Sequence, residues 1–382
     1  MSMLTKRPSL GLWIGLLLLG MGIGIAGVVN VLINGHAHAY NVTREIPWGI
    51  LIATYVFLVV SSTGLCLVSS LGHVFGMKQF EFIGKRAIIL AILTLLCGFG
   101  AIGMELNHPI RMGIYAILSP NFASAIWWMG TLYGIYLMFL CAEFYFLMKG
   151  MHKGAFTMGV LGFTAAVSAH SNLGAVFGLL EARPFWHGSF LPIYFIVSAL
   201  VSGGALVSMI VYFNHKQTGQ PMPQQIASFM DILGRLQILF LMTLVFFVVW
   251  KIIPGVYGQP PEKYEATMAL LSGPYAFNFW FFEVLMGLAI PLGILFFKKT
   301  RTPYGVMMAG LCSTIGIFFM RYDLVITGQL VSMREDTAQL IGGLLQYTPS
   351  ATEYAIVVGS ICTCLFLYTL AERLLPLSSD EH

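Results

Sequence analysis

Residues 48–73 read WGILIATYVFLVVSSTGLCLVSSLGH, an unbroken stretch without a single Asp, Glu, Lys or Arg. A helix of roughly 20 apolar residues crosses about 30 Å of hydrocarbon while bonding all its backbone N–H and C=O groups internally. The stretch therefore predicts a membrane-spanning helix, and windows like it recur along the chain. They predict helices at about 9–32, 48–73, 85–106, 122–149, 155–179, 189–214, 229–254, 276–298, 303–327 and 350–372. The breaks between them carry turn chemistry: Asn34-Gly35, His108-Pro109, Ser119-Pro120, Pro221 to Pro223, Pro254 to Pro261, Ser272-Gly273-Pro274 and Thr348-Pro349.

Composition agrees with this reading. The 382 residues are 58% hydrophobic and 9% charged, with a mean hydropathy of +0.82. Ordinary soluble domains carry about 25% charged residues, so a soluble enzyme is excluded first. The apolar stretches are unbroken rather than alternating, which excludes a β-barrel and leaves an all-α, polytopic membrane bundle of about ten helices. No linker is long enough to divide it, so residues 1–382 form a single integral-membrane domain. The net charge of +4 is small and dispersed and suggests no nucleic-acid partner. The six cysteines, Cys66, Cys97, Cys141, Cys312, Cys362 and Cys364, fall in apolar stretches without a CxxC pair and read as small core residues. Lys6 and Arg7 precede a run too long for a signal peptide and without an A-x-A site, so that run is kept as the first helix.

The distribution of basic residues orients the bundle. Lys6, Arg7, Lys78, Lys85, Arg86, Lys149, Lys153, Lys216, Lys298, Lys299, Arg301 and Arg373 fall on one side. Arg44, Arg111, Arg183, Lys263 and Arg334 fall on the other. The excess marks the cytoplasmic side and places both termini there. The larger loops, around 34–47, 107–121, 254–275 and 328–349, then lie outside, where a soluble partner would dock.

Ionisable side chains inside spans are costly, so each is a functional hypothesis. At 1.5 Å per residue, Arg321 and Glu283 lie about 9 Å below the outer helix ends, and Lys251 and Glu353 about 5 Å below. Glu105 closes the third helix on that side, followed by His108 and Arg111, and Asp323 lies just beyond Arg321. His170 is nearer mid-membrane. Acids, bases and a histidine at one depth suit two-electron, two-proton quinone chemistry, in which the quinone oxygens exchange protons with titratable groups. Helix-to-helix ion pairs among Lys251, Arg321, Glu283 and Glu353 are the structural alternative, and a hydrogen-bonded histidine in the bundle is the structural alternative for His170. Trp127, Trp128, Trp186 and Trp280 lie near outer helix ends, as an interfacial belt or as packing around a quinone ring. Glu143 stands alone in the inner half, either beginning a proton path or paired with Lys149. With only His170 and His73 within spans, a bis-histidine haem is disfavoured.

These residues resemble the NrfD, or polysulfide-reductase membrane-subunit, family in its ten-helix branch, over most of the chain. The marks are Glu45-Ile-Pro47-Trp48-Gly49, Glu105-Leu-Asn-His108-Pro109, Glu143-Phe144, His170-Ser171-Asn172-Leu-Gly174, Phe279-Trp280-Phe-Phe-Glu283, Arg321, Tyr347-Thr-Pro349 with Glu353, and Arg373-Leu-Leu-Pro376. The resemblance implies a quinone-reactive subunit in the inner membrane of a prokaryote, binding menaquinone or ubiquinone as substrate and carrying no metal or haem of its own. It implies partners on the outer face: an iron–sulfur electron-transfer subunit and catalytic or multihaem subunits. By motif, Glu105, His108, His170, Glu283, Arg321 and Glu353 would line the pocket. Glu105, His170, Glu283 and Glu353 are the candidate proton carriers, while His108, Trp127, Lys251, Trp280, Arg321 and Asp323 are candidates for holding the quinone. Two positions depart from the family's pattern: Lys251 stands where arginine is found, and Glu105 where aspartate is common. A secondary transporter or ion channel is the competing reading; apart from Pro291 the spans show no pair of interruptions of the kind transporters use.

Overall fold

The computed structural model describes residues 8–333 and 343–377. Lys6, Arg7 and Arg334, which the charge reading used, lie outside the described residues. The described chain is helical without a β-strand, and ten of its helices are long and apolar enough to cross a membrane. These are α1 (Pro8–Asn34), α2 (Ile50–His73), α3 (Lys78–Glu105, its first six residues a 3₁₀ turn), α4 (Ala125–Met148), α5 (His152–Gly178), α6 (Leu191–Thr218), α7 (Gln224–Tyr257), α8 (Asn278–Phe296), α9 (Pro303–Thr327) and α10 (Ala351–Leu374). The ten expected spans are all present. Successive spans run in opposite directions, so one end of the bundle carries Glu105 and the other Lys149.

The helix of residues 48–73 turns out to be the axis of the fold. α2 is buried along almost its whole length and touches α3, α5, α6, α9 and α10. With lipid as apolar as leucine, helices associate through close packing of small residues rather than through hydrophobicity. Gly64 of α2 lies against the backbone of Ala199 and Gly203 in α6, where a side chain on either glycine would collide with main chain. The outward faces of α1, α4 and α7 keep exposed Leu, Ile, Phe and Met, as lipid contact requires.

Three segments differ from the expectation. α7 was expected to stop at Pro254 but continues through it to Tyr257; at a helix end, loss of one N–H donor is tolerated. Lys251 therefore sits about 9 Å below its helix end, not about 5 Å, at the depth of Arg321. The larger loops contain short helices, His36–Ala39, Pro109–Leu118 and Pro261–Leu271, the last two begun by the proline that suits a first helical turn. Finally, α8 is a π-helix over Asn278–Ala289 and α-helical only over Ile290–Phe296. Pro291 explains the change: it has no N–H to give the carbonyl four residues back, and its ring crowds that carbonyl, which favours a wider turn before it. That carbonyl, of Gly287, is met instead by the Ser313 hydroxyl at 3.5 Å.

Candidate functional site

The side chains that bring charge into the bundle converge from α7, α8 and α9, with α5 and α6 packed against them. Lys251 of α7 donates to Glu283 Oε1 of α8 across 2.8 Å, and both side chains are nearly or wholly buried. The ammonium also lies 5.7 Å from the Tyr194 ring centre and 5.6 Å from that of Phe279. Arg321 of α9 is completely buried. It donates through one terminal nitrogen to the Ser198 hydroxyl, and its guanidinium carbon is 4.2 Å from the Phe195 ring centre. Aromatic faces hold cations where water is excluded, so α6 supplies a cradle of Tyr194, Phe195 and Ser198 that the sequence reading missed. A tyrosine and a phenylalanine in a hydrophobic helix carry no signal of that role; only their position against two buried cations reveals it.

His170 of α5 stands behind this cradle. Its Nε2 is 3.1 Å from the Phe195 carbonyl and its Nδ1 is 3.1 Å from the Tyr133 hydroxyl. A carbonyl only accepts, so Nε2 carries the hydrogen, and Nδ1 accepts from Tyr133. Both ring nitrogens are thus bonded within the protein, and His170 positions Tyr133 and the cradle.

Around this core, hydrogen-bonding capacity is left over. Glu283 Oε2 and Arg321 Nε and Nη1 are buried with no hydrogen-bond partner among the described residues. Among the described residues, neither carboxylate oxygen of Asp323 finds a hydrogen bond of good geometry, although the Asn278 side chain lies within its reach. Donors and acceptors are both unspent, on neighbouring helices at one depth. The expectation of ion pairing holds for Lys251 with Glu283 and fails for Arg321, which has no carboxylate at salt-bridge distance among the described residues.

Glu105 and Glu353 belong to a second cluster at the Glu105 end. Glu353 accepts from the Tyr347 hydroxyl, from the backbone N–H of Ser350 at 2.8 Å and from that of Asn41 at 3.1 Å. With Ser350 it forms a capping box that starts α10. Glu105 Oε1 lies 3.4 Å from the Gly49 nitrogen. A Cβ at Gly49 would stand 2.6 Å from the Tyr347 hydroxyl and 2.7 Å from Glu353 Oε1, which explains the glycine in Pro47-Trp48-Gly49. The two clusters are joined by tyrosines: Tyr275 donates to the Tyr347 carbonyl at 3.1 Å, and its ring centre is 6.2 Å from that of Tyr322, next to Asp323 in sequence. Burial, followed by the hydrogen bond to Glu353 and its charge, pushes the Tyr347 hydroxyl well up. Burial, with the Asp323 charge adding, does the same to Tyr275.

The remaining candidates lie apart. His108 is exposed in an open groove of about 440 Å³ beside Arg111 and Tyr115. Trp127 donates to the Ala116 carbonyl at 2.8 Å, pinning the short helix Pro109–Leu118. Trp280, 52% exposed, donates to the Leu271 carbonyl at 2.9 Å and faces out of the bundle. Trp127, Trp128 and Trp280 thus fit the interfacial belt, whereas Trp186 does not: it is buried, stacked on Trp48 at 5.2 Å, and donates to the Leu324 carbonyl. Arg183, which the sequence reading used only as an outer charge, is buried and donates to the carbonyls of Glu45, Gln329 and Val331 at 2.9–3.3 Å, locking together the loops over the site. Glu143 does not pair with Lys149: neither of its oxygens has a hydrogen-bond partner among the described residues, and Lys149 is exposed. Cys141 faces outward rather than into the core. Among the described residues, no group of three or more His, Cys, Asp or Glu side chains is placed to hold a metal ion.

Comparison with known proteins places this geometry in a family context. The chain is 28% identical to the C subunit of the selenate reductase of Mesobacillus selenatarsenatis, over 94% of this chain and 93% of that protein. It is 26% identical to an Hdr-like menaquinol oxidoreductase integral membrane subunit of Archaeoglobus fulgidus, over 89% and 87%. It is 24% identical to the C chain of the polysulfide reductase of Wolinella succinogenes, over 77% and 97%. Residues 38–332, which hold every member of the buried charge cluster, match the polysulphide reductase NrfD family model, and the chain belongs to that family.

Proposed function

We propose that this protein is the quinone-reactive membrane subunit of a multi-subunit respiratory oxidoreductase, exchanging two electrons and two protons between membrane quinone and a redox partner. The observation that carries the reading is the set of buried polar atoms left without a hydrogen-bond partner among the described residues, Arg321 Nε and Nη1 as donors and oxygens of Glu283 and Asp323 as acceptors, beside the Lys251–Glu283 ion pair. A quinone carbonyl accepts and a quinol hydroxyl donates, so a site serving both oxidation states needs both kinds of group. Arg321 and Lys251 balance charge on the reduced oxygens; Glu283 and Asp323 exchange protons with them. His170 holds Tyr133 and the α6 cradle in register. Glu105, Tyr347 and Glu353 form the polar connection towards the Glu105 end.

The names of the relatives support this reading: one is a menaquinol oxidoreductase subunit, and others are components of selenate and polysulfide reductases. The substrate is menaquinone or ubiquinone, and the partners are an iron–sulfur electron-transfer subunit with catalytic or multihaem subunits docked at the Glu105 end. The charge asymmetry puts that end outside the inner membrane of a prokaryote and the termini in the cytoplasm. His108, Trp127 and Trp280, at that end or on the lipid face, would guide the quinone's approach.

The test is Glu283→Gln in the purified complex. The expected result is at least a hundredfold loss of quinone-dependent electron transfer with all subunits still assembled, because amide cannot carry the proton. Turnover at the unsubstituted rate would reject Glu283 as the proton carrier, and no quinone turnover by the unsubstituted complex would reject the function.

A further inference from the structure

The Lys251–Glu283–Arg321 cluster lies at an edge of the bundle where two spans draw apart. The α-helical end of α8, Ile290–Phe296, packs against α7. Its π-helical part, Asn278–Ala289, packs instead against α9 and, among the described residues, hardly touches α7. Two contacts hold that part to α9. Gly287 meets Gly316 so closely that a side chain on either would collide with main chain, and the Phe282 and Phe319 rings stack at 3.8 Å. A slit is left between the outer halves of α7 and α8. The short helix Pro261–Leu271 roofs it at the Glu105 end, touching α7, α9 and the π-helical part. There Thr267 fills the space that Gly255 of α7 leaves free, and the Leu271 carbonyl accepts from the Trp280 indole at 2.9 Å. The slit therefore opens sideways, to lipid, and not to water.

The slit ends at charge. Lys251 is 8% exposed while Glu283, Arg321 and Asp323 are 0% exposed, so the lysine is where the cluster meets the lipid. Behind the cluster, the wholly buried Tyr133, His170, Tyr194 and Phe195 wall it off towards α4, α5 and α6. On α7, Phe247 packs against Phe190 at the start of α6, 5.6 Å between ring centres, so α6 lies on that side of the helix. The opposite side, facing α8, carries Val245, Val249, Ile252 and Val256, three and four residues apart and none of them buried. These β-branched side chains are short and stiff, whereas the bulky Phe246 and Trp250 of α7 face lipid away from the slit. On α8 the matching edge is Trp280 and Val284, beside Glu283. An aliphatic groove that ends at buried donors and acceptors fits a molecule with a branched hydrocarbon tail and a polar head. A lipid acyl chain in the same groove would leave those polar atoms unpaired.

We propose that quinone enters and leaves sideways through this slit: the head passes between Ile252 and Val284 to reach Lys251, Glu283 and Arg321, and the isoprenoid tail lies along Val249 and Val245 towards the bilayer midplane. The inference rests on the quinone reading and adds the ligand's path and the residues that hold its tail. The tail stays in hydrocarbon throughout. Only the head leaves lipid, and its oxygens exchange an apolar surrounding for the donors of Lys251 and Arg321. Trp280, its N–H already spent on the roof, stands as a fixed post at the outer corner of the slit.

The experiment uses the whole complex in membranes and two probes: a long-tailed quinone with a diazirine on its first isoprene unit, and the same quinone head without a tail. Photolysis of the first should give cross-links within 245–256 and 280–289 that excess unlabelled quinone suppresses. Suppressible cross-links confined to other segments, or none at all, would overturn the inference. In kinetics, Ile252→Trp and Val284→Trp narrow the slit and should lower kcat/KM for the long-tailed quinone about tenfold relative to the tail-less one, through KM. Leu239→Trp, on the lipid face of α7 away from the slit, should leave that ratio unchanged. Equal losses with both quinones, or none, would overturn the inference. If Ile252→Trp does not assemble, Val249→Trp, at a position already exposed, is read in its place by the same criterion. Cross-links elsewhere with turnover intact remove this inference alone, whereas an unsubstituted complex without quinone turnover removes the quinone reading itself.

Discussion

Removing either member of the Lys251–Glu283 pair should be far more damaging than removing both. The ions are 2.8 Å apart with side chains 5% and 0% exposed, which at an effective dielectric of about 20 is an attraction of about 6 kcal/mol. Desolvation offsets most of it, so the pair adds little net stability, but either charge alone keeps its desolvation penalty and loses its partner. In Lys251→Met the Glu283 carboxylate is left without a hydrogen-bond donor, since Oε2 already has none, and the loss should be about 3–5 kcal/mol. In Glu283→Gln the ammonium keeps the Tyr194 and Phe279 faces, worth about 1–2 kcal/mol in a dry site, so the loss should be smaller by that amount. The double variant leaves neither charge of the pair buried without its partner and should fall within about 2 kcal/mol of the unsubstituted protein. Equilibrium unfolding of the detergent-solubilised chain across the four-member cycle measures the coupling, expected to exceed about 2 kcal/mol. Additive losses, with coupling near zero, would show the pair to be hydrated and refute the reasoning. Electron transfer should stay lost in the double variant even where stability returns, which separates chemistry from folding.

Tyr133→Phe strips the donor from His170 Nδ1 inside the bundle; it should destabilise the chain by about 1–3 kcal/mol and lower quinone turnover, read by unfolding and by kinetics on the same preparation. Arg183→Met orphans the carbonyls of Glu45, Gln329 and Val331 together, and limited proteolysis of membranes should then cut within 41–49 or 328–333, sites that resist in the unsubstituted protein. At alkaline pH, Tyr275 and Tyr347 hold their protons in the folded state above the ordinary value of 10.0, chiefly through burial. The unfolded chain loses those protons first, so stability should be level below about pH 9 and fall above pH 10 by up to about 1.4 kcal/mol per tyrosine per pH unit. A flat unfolding midpoint between about pH 9 and 11.5 would show these hydroxyls to be solvated.

Much of this protein is legible in one dimension because lipid imposes a length and a composition on every span. All ten spans could be placed from apolar runs and polar breaks, and Pro291 already marked α8 as unusual. The boundaries that failed are those where tertiary contacts supply what a helix end lacks. α7 runs past Pro254, and the Pro109–Leu118 helix, assigned to a loop, is held by the Trp127 bond to Ala116. Candidate residues were legible for the same reason: a charge in an apolar run is conspicuous, so Lys251, Glu283, Arg321, Asp323, His170 and Glu143 stand out. Their sorting was not legible. Depth along a helix can be counted, but the direction a side chain faces across ten helices cannot. Glu353 was therefore grouped with Glu283, although it caps α10 in a separate cluster.

What the sequence determined by itself is the class: a ten-span helical bundle with acids and bases buried towards one end, because the energy of placing each residue in hydrocarbon is nearly independent of its neighbours. What tertiary structure alone decided is pairing. Lys251 found Glu283 across α7 and α8, Arg321 found the α6 aromatics instead of a carboxylate, and Glu143 found no hydrogen-bond partner among the described residues. Those outcomes follow from helix packing set by small residues such as Gly64 and Gly203 and from the π-turn before Pro291. Such contacts act over a few ångströms between residues far apart in the chain, where no local pattern in the sequence records them.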